Sequence, residues 1–119
     1  SNFLWRDICM EKHFKKMIPK SIVLPSLVMT ISYKNTKKKS ISTVLIENES
    51  DIDRARKIFE NKYISHNKDS INRIELDMYQ YKSPFVGIDG VDFNDNEELD
   101  DLFFTFKIEY NELKNGCQE

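Results

Sequence analysis

The pattern of apolar and polar positions is clearest from Leu102 to Tyr110, where large apolar side chains stand at every second position. Alternation with a period of two residues is typical of a strand with one buried face. Phe103 is the only residue that breaks it. We therefore predict a strand here, and we expect it at the centre of the sheet with a neighbour on each edge. Its apolar positions after Leu102 are Phe104, Phe106, Ile108 and Tyr110.

Three further segments show the same alternation and are predicted to be strands. They are Leu27 to Tyr33, Ile41 to Glu47 and Arg73 to Tyr81. The polar residues between the first two contain no glycine, which favours a longer hairpin loop over a two-residue turn. Ser83 and Pro84 are expected to end the third strand, because proline cannot donate a hydrogen bond to a neighbouring strand.

Two segments carry apolar residues at helical spacing. The first runs from Phe3 to Met17 and is predicted to end before Pro19. The second begins at Ser50, a predicted N-cap residue, and ends near His66. Two aspartates in its first turn suit the positive end of the helix dipole. Its predicted apolar face comprises Ile52, Ala55, Ile58 and Phe59, with Tyr63 as a further candidate.

The remaining segments lack a regular period. Residues 83–101 are predicted to form a long acidic loop that packs onto the domain through its apolar side chains. Residues 111–119 are predicted to form a polar tail. The order is therefore α-β-β-α-β-β. It predicts one α+β domain over residues 1–119, with a four-stranded, mainly antiparallel sheet and both helices on one face. A curled sheet around one helix is the alternative. The chain is also compatible with being a segment of a longer protein.

The charge of the chain is divided unevenly along its length. The formal net charge is only −2 for 119 residues. Residues 1–39 nevertheless carry nine basic and two acidic residues, and residues 83–101 carry seven acidic residues and no basic one. Such a division indicates a charged partner or self-association of opposite ends. The two cysteines are too few for a disulfide framework, which favours an intracellular protein, cytoplasmic or nuclear. No apolar run is long enough to span a bilayer.

Candidate catalytic and metal-binding groups lack the patterns that their chemistry requires. The acidic run from Asp92 resembles the start of a calcium loop, but Glu97 stands where the turn needs glycine and Phe103 where a bidentate acid is required. Cys9 and His13 share a helix face without an oxyanion-binding turn nearby. No metal site, cofactor or catalytic residue is therefore predicted. A small hydrolase or nuclease is kept as an alternative, with an acidic cluster of Glu75, Asp77 and Glu109.

We expect a non-catalytic protein–protein interaction module, either part of a larger assembly or a small binder of the inhibitor or immunity type. Apolar anchors in the predicted loop, surrounded by carboxylates that attract a basic partner, suit this function. A tryptophan near the chain start adds a further candidate anchor. The predicted partner-binding residues are Phe85, Val86, Asp89, Asp92, Phe93, Asp95 and Trp5.

Nucleic-acid binding is the second hypothesis. Lysines along the first helix and in the first hairpin form a basic patch if the two lie on one side of the domain. Lysine without arginine favours charge attraction over the reading of base edges. The candidate residues are Lys12, Lys15, Lys16, Lys34, Lys37, Lys38 and Lys39. No oligomeric state is predicted.

Overall fold

A four-stranded antiparallel sheet and two helices form the domain in the computed structural model, which describes residues 25–80 and 83–116. The sheet order is β2-β1-β3-β4. The predicted helix from Phe3 to Met17 lies outside the described residues. The elements are β1 (Ser26–Tyr33), β2 (Lys39–Leu45), α1 (Ser50–Ile64), a 3₁₀ turn (Lys68–Ser70), β3 (Ile71–Gln80), β4 (Ser83–Asp89) and α2 (Asn96–Gly116). The predicted α+β class with four antiparallel strands is confirmed.

The two central strands are β1 and β3, which pair with each other along their whole length. The alternation of apolar and polar residues in these two strands determines which face of the sheet is buried. In β1, Leu27, Met29 and Ile31 are fully buried, and the facing residues of β3 are buried as well. All of these side chains lie on one face of the sheet because residues directly opposite each other in a ladder point the same way. Burial of each such side chain stabilises the fold by roughly 1.5 to 3 kcal/mol.

The predicted succession β-β-α-β-β is present, but its last strand is not the predicted one. The fourth strand is β4, which covers Ser83–Asp89, at the start of the predicted acidic loop. Pro84 does not prevent strand formation here because β4 lies at the edge of the sheet, where the missing N–H of a proline is tolerated. The predicted loop is thereby reduced to residues 90–95, and the remainder of the segment belongs to α2.

The segment Leu102 to Tyr110 lies inside α2, so the predicted central strand is wrong. Residues four apart share a helix face, and they also share a strand face, which is why Leu102, Phe106 and Tyr110 satisfy both periods. Phe103, which breaks the strand pattern, is buried. Phe104 is 64% exposed and Ile108 is 43% exposed. The buried face of α2 comprises Leu99, Leu102, Phe103, Phe106, Tyr110 and Leu113.

Both helices cover the same face of the sheet and run antiparallel to each other. The start of α1 is paired with the end of α2: the phenol of Tyr110 donates a hydrogen bond to the carbonyl of Glu47, just before α1, at 2.8 Å. Further along, Arg56 contacts Asp100 at 2.6 Å and Lys107 contacts Asp53 at 2.9 Å. These ion pairs are partly exposed, so most of the stabilisation comes from the apolar side chains beneath them.

Three details of the helices differ from the predictions. The N-cap residue of α1 is Glu49 and not Ser50, and its side chain makes no capping hydrogen bond. The carboxylate of Asp51 accepts hydrogen bonds from the backbone N–H groups of Glu47 and Asn48, just before the helix, at 2.9 and 3.2 Å. Ile58 is 38% exposed and so lies at the margin of the apolar face of α1. The predicted polar tail is helical as far as Gly116, because Leu113 extends the buried face of α2.

Candidate functional site: an acidic groove beside β4

The outer edge of β4 borders a groove whose other wall is α2. Because the sheet order ends at β4, no strand of the described part of the chain pairs with this edge. Helix α2 follows β4 after a short connection and runs back along it on the covered face of the sheet. The groove is lined by Val86, Gly87 and Ile88 of β4 and by Asp95, Glu97, Glu98, Asp101, Leu102 and Thr105.

A bulge at the end of β4 fixes which backbone groups face the groove. The N–H groups of Gly90 and Val91 both donate to the carbonyl of Ile74 at 3.0 Å, and Gly90 has a φ of 78°. This arrangement is a β-bulge with glycine in the left-handed region. In the register of the ladder, Ile88 then exchanges hydrogen bonds with β3, and the N–H and C=O groups of Gly87 and Asp89 point to the outer edge.

Gly87 lets β4 lie unusually close to β3. A Cβ atom at this position would stand 2.6 Å from the carbonyl oxygen of Leu76 and 2.9 Å from the Cα of Asp77, and it would also overlap the Asp77 carboxylate. Two of these obstacles are backbone atoms, which cannot rotate away. Glycine at this position therefore holds the edge strand in its observed place, and nothing in the alternation of apolar residues signals that requirement.

The helical wall of the groove is acidic because of how α2 begins. Asp95 precedes the helix, and its carboxylate accepts a hydrogen bond from the N–H of Glu98 at 3.1 Å, which makes Asp95 the N-cap. Glu97 and Glu98 lie in the first turn, where the helix dipole favours negative charge. Asp101 lies one turn further along, on the face that looks towards β4. Four carboxylates therefore border the groove.

Apolar surface accompanies these carboxylates. The floor of the groove includes Val86 and Leu102, and Ile88 is 38% exposed at its margin. On the outer side of α2, Phe104 and Ile108 stand one turn apart and are exposed. Apolar contacts within a polar rim are the usual composition of a protein-binding surface.

On the opposite face of the sheet, acidic side chains of β3 and β4 surround one arginine. Arg73 contacts Glu75 and Asp89, both at 3.1 Å. Asp77 lies beside this group on the same face of the sheet. Burial raises the pKa of the Asp77 carboxyl, and repulsion by Glu75 and Asp89 raises it further. The ionised form of Asp77 is therefore destabilised in the folded domain.

Replacement of Asp77 by asparagine is expected to stabilise the domain at neutral pH. The pKa of Asp77 is higher in the folded state than its ordinary value of 3.8, so its ionisation costs stability as the pH rises above that value. Below that value both states are protonated and the cost disappears. Thermal unfolding at pH 7 and pH 3 checks this: the gain of Asp77→Asn over the unmodified chain should be larger at pH 7. An equal gain at both values would show that charge is not the cause.

The predicted partner-binding residues have unequal positions. Phe93 is buried and stacks on Tyr63 with ring centroids 5.1 Å apart, so it belongs to the core and is not an exposed anchor. The carboxylate of Asp92 accepts a hydrogen bond from the N–H of Asn94 at 2.9 Å and thereby shapes the turn before α2. Val86 and Asp95 line the groove, and Asp89 lies at the end of β4. Trp5 lies outside the described residues.

Phe85 precedes Val86 in β4, is partly buried and packs against the margin of the core. The remaining residues of the groove were not predicted as a site from the sequence; they are Gly87, Ile88, Glu97, Glu98, Asp101, Leu102 and Thr105. A signal for the helical part existed, because Glu98, Asp101, Leu102 and Thr105 share one helix face at spacings of three and four residues.

The lysines of the second hypothesis that the structure describes lie together. Lys34, Lys37 and Lys38 are exposed in the loop between β1 and β2, and Lys39 is exposed at the first position of β2. The loop is anchored where the N–H of Lys34 donates to the carbonyl of Ser70 at 2.9 Å. It lies on the β2 side of the sheet, away from β4. Lys12, Lys15 and Lys16 lie outside the described residues.

The acidic cluster that the nuclease alternative requires is not assembled. Glu75 and Asp77 point to the face of the sheet opposite the two described helices, whereas Glu109 lies on α2, on the other side. Burial raises the pKa of the Glu109 carboxyl, and the nearby Glu112 adds repulsion, but neither effect involves Glu75 or Asp77. Cys9 and His13 lie outside the described residues. Among the residues that the structure describes, no three side chains form a group suited to a metal ion.

The helices of the described ranges, 25–80 and 83–116, do not include one that is long and apolar enough to cross a membrane. No protein-family model, no curated protein and no solved structure matches this chain.

Proposed function

We propose that the domain is a non-catalytic protein–protein interaction module that binds a basic segment of another protein in the groove between β4 and α2. The observation that carries this proposal is the juxtaposition of an acidic helix face with a strand edge that pairs with no other strand of the described residues. Each of these features is common alone. Together they offer backbone hydrogen-bonding groups and negative charge to the same bound segment.

Charge and shape support one class of partner. Asp95, Glu97, Glu98 and Asp101 border the groove, and none of the groove-lining residues is basic. Such a surface attracts lysine and arginine side chains and raises the rate of encounter with a basic partner. The apolar floor formed by Val86 and Leu102 gives the stems of those long side chains a surface to cover.

The proposed function is the one predicted from the sequence, but the proposed binding surface is the groove between β4 and α2. Phe93 was predicted as an apolar anchor; in its place we propose the exposed side chains of Ile88 in β4 and of Phe104 and Ile108 in α2. The carboxylate of Asp95 remains at the surface, although it also caps α2. The function therefore depends on residues that are available to a partner without unfolding of the core.

Selection of displayed random twelve-residue peptides on the purified domain tests the proposal. We expect the enriched peptides to be rich in lysine and arginine, and we expect the double variant Glu97→Lys/Asp101→Lys to weaken their binding at least about ten-fold, because two attractive charges become repulsive. The matched control is Asp69→Lys, a charge reversal at an exposed site in the 3₁₀ turn, with little expected effect. Enriched peptides without basic residues, or equal loss in both variants, would contradict the proposal.

Nucleic-acid binding remains a second candidate because four exposed lysines cluster at the β1–β2 loop. Titration of a fluorescent single-stranded oligonucleotide against the domain separates the two functions. Binding that falls steeply with salt and is abolished by Lys37→Glu/Lys38→Glu, but is unchanged by Glu97→Lys/Asp101→Lys, would favour this candidate. The peptide-binding function predicts the reverse pattern.

A further inference from the structure

We infer that the basic segment binds by strand addition, as a fifth strand hydrogen-bonded to the outer edge of β4. The inference rests on the proposed function and specifies how the partner is held. Its first support is the backbone of β4, because the ladder register leaves the N–H and C=O groups of Gly87 and Asp89 directed outwards. An extended peptide satisfies such groups at every second residue.

The local sequence of β4 leaves this edge accessible. Pro84 lacks an N–H and stands near the start of the strand, so the outward-facing donors are concentrated towards its end. Gly87 has no side chain that could shield its own backbone. Its close approach to Asp77 holds β4 beside β3 over residues 86–89, where the pairing with β3 has a regular register.

The side chains of an added strand would face α2 on one side of the sheet and Gly87 and Asp89 on the other. Side chains on the face that also bears Val86 and Ile88 point towards α2, where Glu98 and Asp101 are located. Side chains on the other face lie beside Gly87, which offers no side chain, and Asp89. A strand alternates its side chains between faces. The groove therefore fits a segment with basic residues at every second position, on the side that faces α2.

A second copy of this chain is a poorer occupant of the same edge through its own β4. Pairing of two β4 edges would bring the carboxylates of both α2 helices and both Asp89 residues together, and repulsion between like charges opposes such a contact. Charge complementarity instead selects a partner segment of opposite sign. Self-association is one outcome of the test below.

The probe is a fluorescein-labelled eight-residue peptide that alternates lysine and valine, titrated with the domain at low salt. Two modified peptides carry the same number of backbone N-methyl groups, on all the lysines in one and on all the valines in the other. In strand addition only one of these two sets of N–H groups faces β4. We expect one modified peptide to lose at least about ten-fold in affinity, because the buried carbonyls of β4 lose their donors, and the other to change by less than about two-fold.

The residues whose N-methylation weakens binding also show whether the added strand runs antiparallel or parallel to β4. In an antiparallel pair the residues that bond to Gly87 and Asp89 share their face, which is the side away from α2, so N-methylation of the valines is the damaging change. In a parallel pair the bonding residues lie opposite Ile88 and face α2, so N-methylation of the lysines is damaging. Either asymmetry supports strand addition. Equal effects of the two modifications overturn it.

The controls separate this inference from the proposed function. Binding that is lost in Glu97→Lys/Asp101→Lys but is equally sensitive to both N-methylated peptides overturns strand addition and leaves the acidic binding surface intact. The proposed function itself is overturned if the unmodified peptide does not bind the domain at millimolar concentration. It is also overturned if that peptide binds the domain and its Glu97→Lys/Asp101→Lys variant equally well. Concentration-dependent dimerisation of the domain in sedimentation, abolished by the unmodified peptide, would show that a second copy occupies the edge and would overturn the inference.

Discussion

Replacement of Phe106 by alanine is expected to lower the free energy of unfolding by about 3 to 5 kcal/mol, because both the transfer of the ring and the cavity left behind count against the folded state. The ring of Phe106 is fully buried and meets Phe103 edge to face, with ring centroids 5.4 Å apart. A domain of this size has a total stability of roughly 5 to 15 kcal/mol. Phe106→Ala should therefore remove a large part of it, as measured by chemical denaturation.

The matched control is Phe104→Ala, which makes the same chemical change two residues away. In a strand the two rings would lie on one face and would be equally important. In α2 they point in nearly opposite directions, and Phe104 is 64% exposed. The expected loss is about 0.5 kcal/mol or less. Similar large losses in both variants would contradict the helical assignment of this segment.

Replacement of Gly87 by valine is the second change with a large expected effect. Overpacking of this kind costs typically about 1 to 3 kcal/mol, and here β4 must move away from β3 because the obstacles include the carbonyl oxygen of Leu76. The movement would also displace the strand edge that we propose as the binding site. We expect a lower denaturation midpoint together with weakened binding of the lysine–valine peptide.

Gly90 provides the comparison, because its requirement for glycine has a different origin. A Cβ atom at Gly90 meets nothing within 4 Å, but its φ of 78° is unfavourable for most residues. Asparagine tolerates this region better than alanine does. Gly90→Asn should therefore be less harmful than Gly90→Ala, whereas at Gly87 the larger asparagine should be the more harmful of the two. The same ranking at both sites would contradict the steric explanation for Gly87.

The sequence was sufficient where an alternating segment is short and is bounded by turn residues. β1 stands between Pro25 and Asn35, and the predicted buried faces of β1 and β3 are confirmed, although residues four apart in them also fit a helix. The apolar face of α1 was also predicted, apart from Ile58, because Ile52, Ala55 and Phe59 follow the helical spacing. These elements supply the α+β class and the covered face of the sheet.

The sequence was ambiguous where two periods coincide. Residues four apart satisfy the helix and the strand alike, so Leu102, Phe106 and Tyr110 could not distinguish them. Phe103, which breaks the alternation, fits only the helix, and so do Leu99 and Leu113, which lie outside the alternating segment. Ser83–Asp89 was misjudged for a different reason, since the tolerance of Pro84 depends on the place of the strand at the sheet edge.

The candidate site likewise has features that were evident from the sequence and features that only the tertiary structure decided. The excess of acidic residues in 83–101 was evident from the sequence, because charge is a property of composition and needs no fold. The tertiary structure decided which of those carboxylates share a surface, since Asp92 shapes a turn while Glu98 and Asp101 face β4. It also decided that β4 is the edge strand of the sheet that the described residues form, because strand order follows from long-range packing. Local pattern determined the faces of the elements, and long-range packing determined which faces meet and which strand lies at the edge of the described sheet.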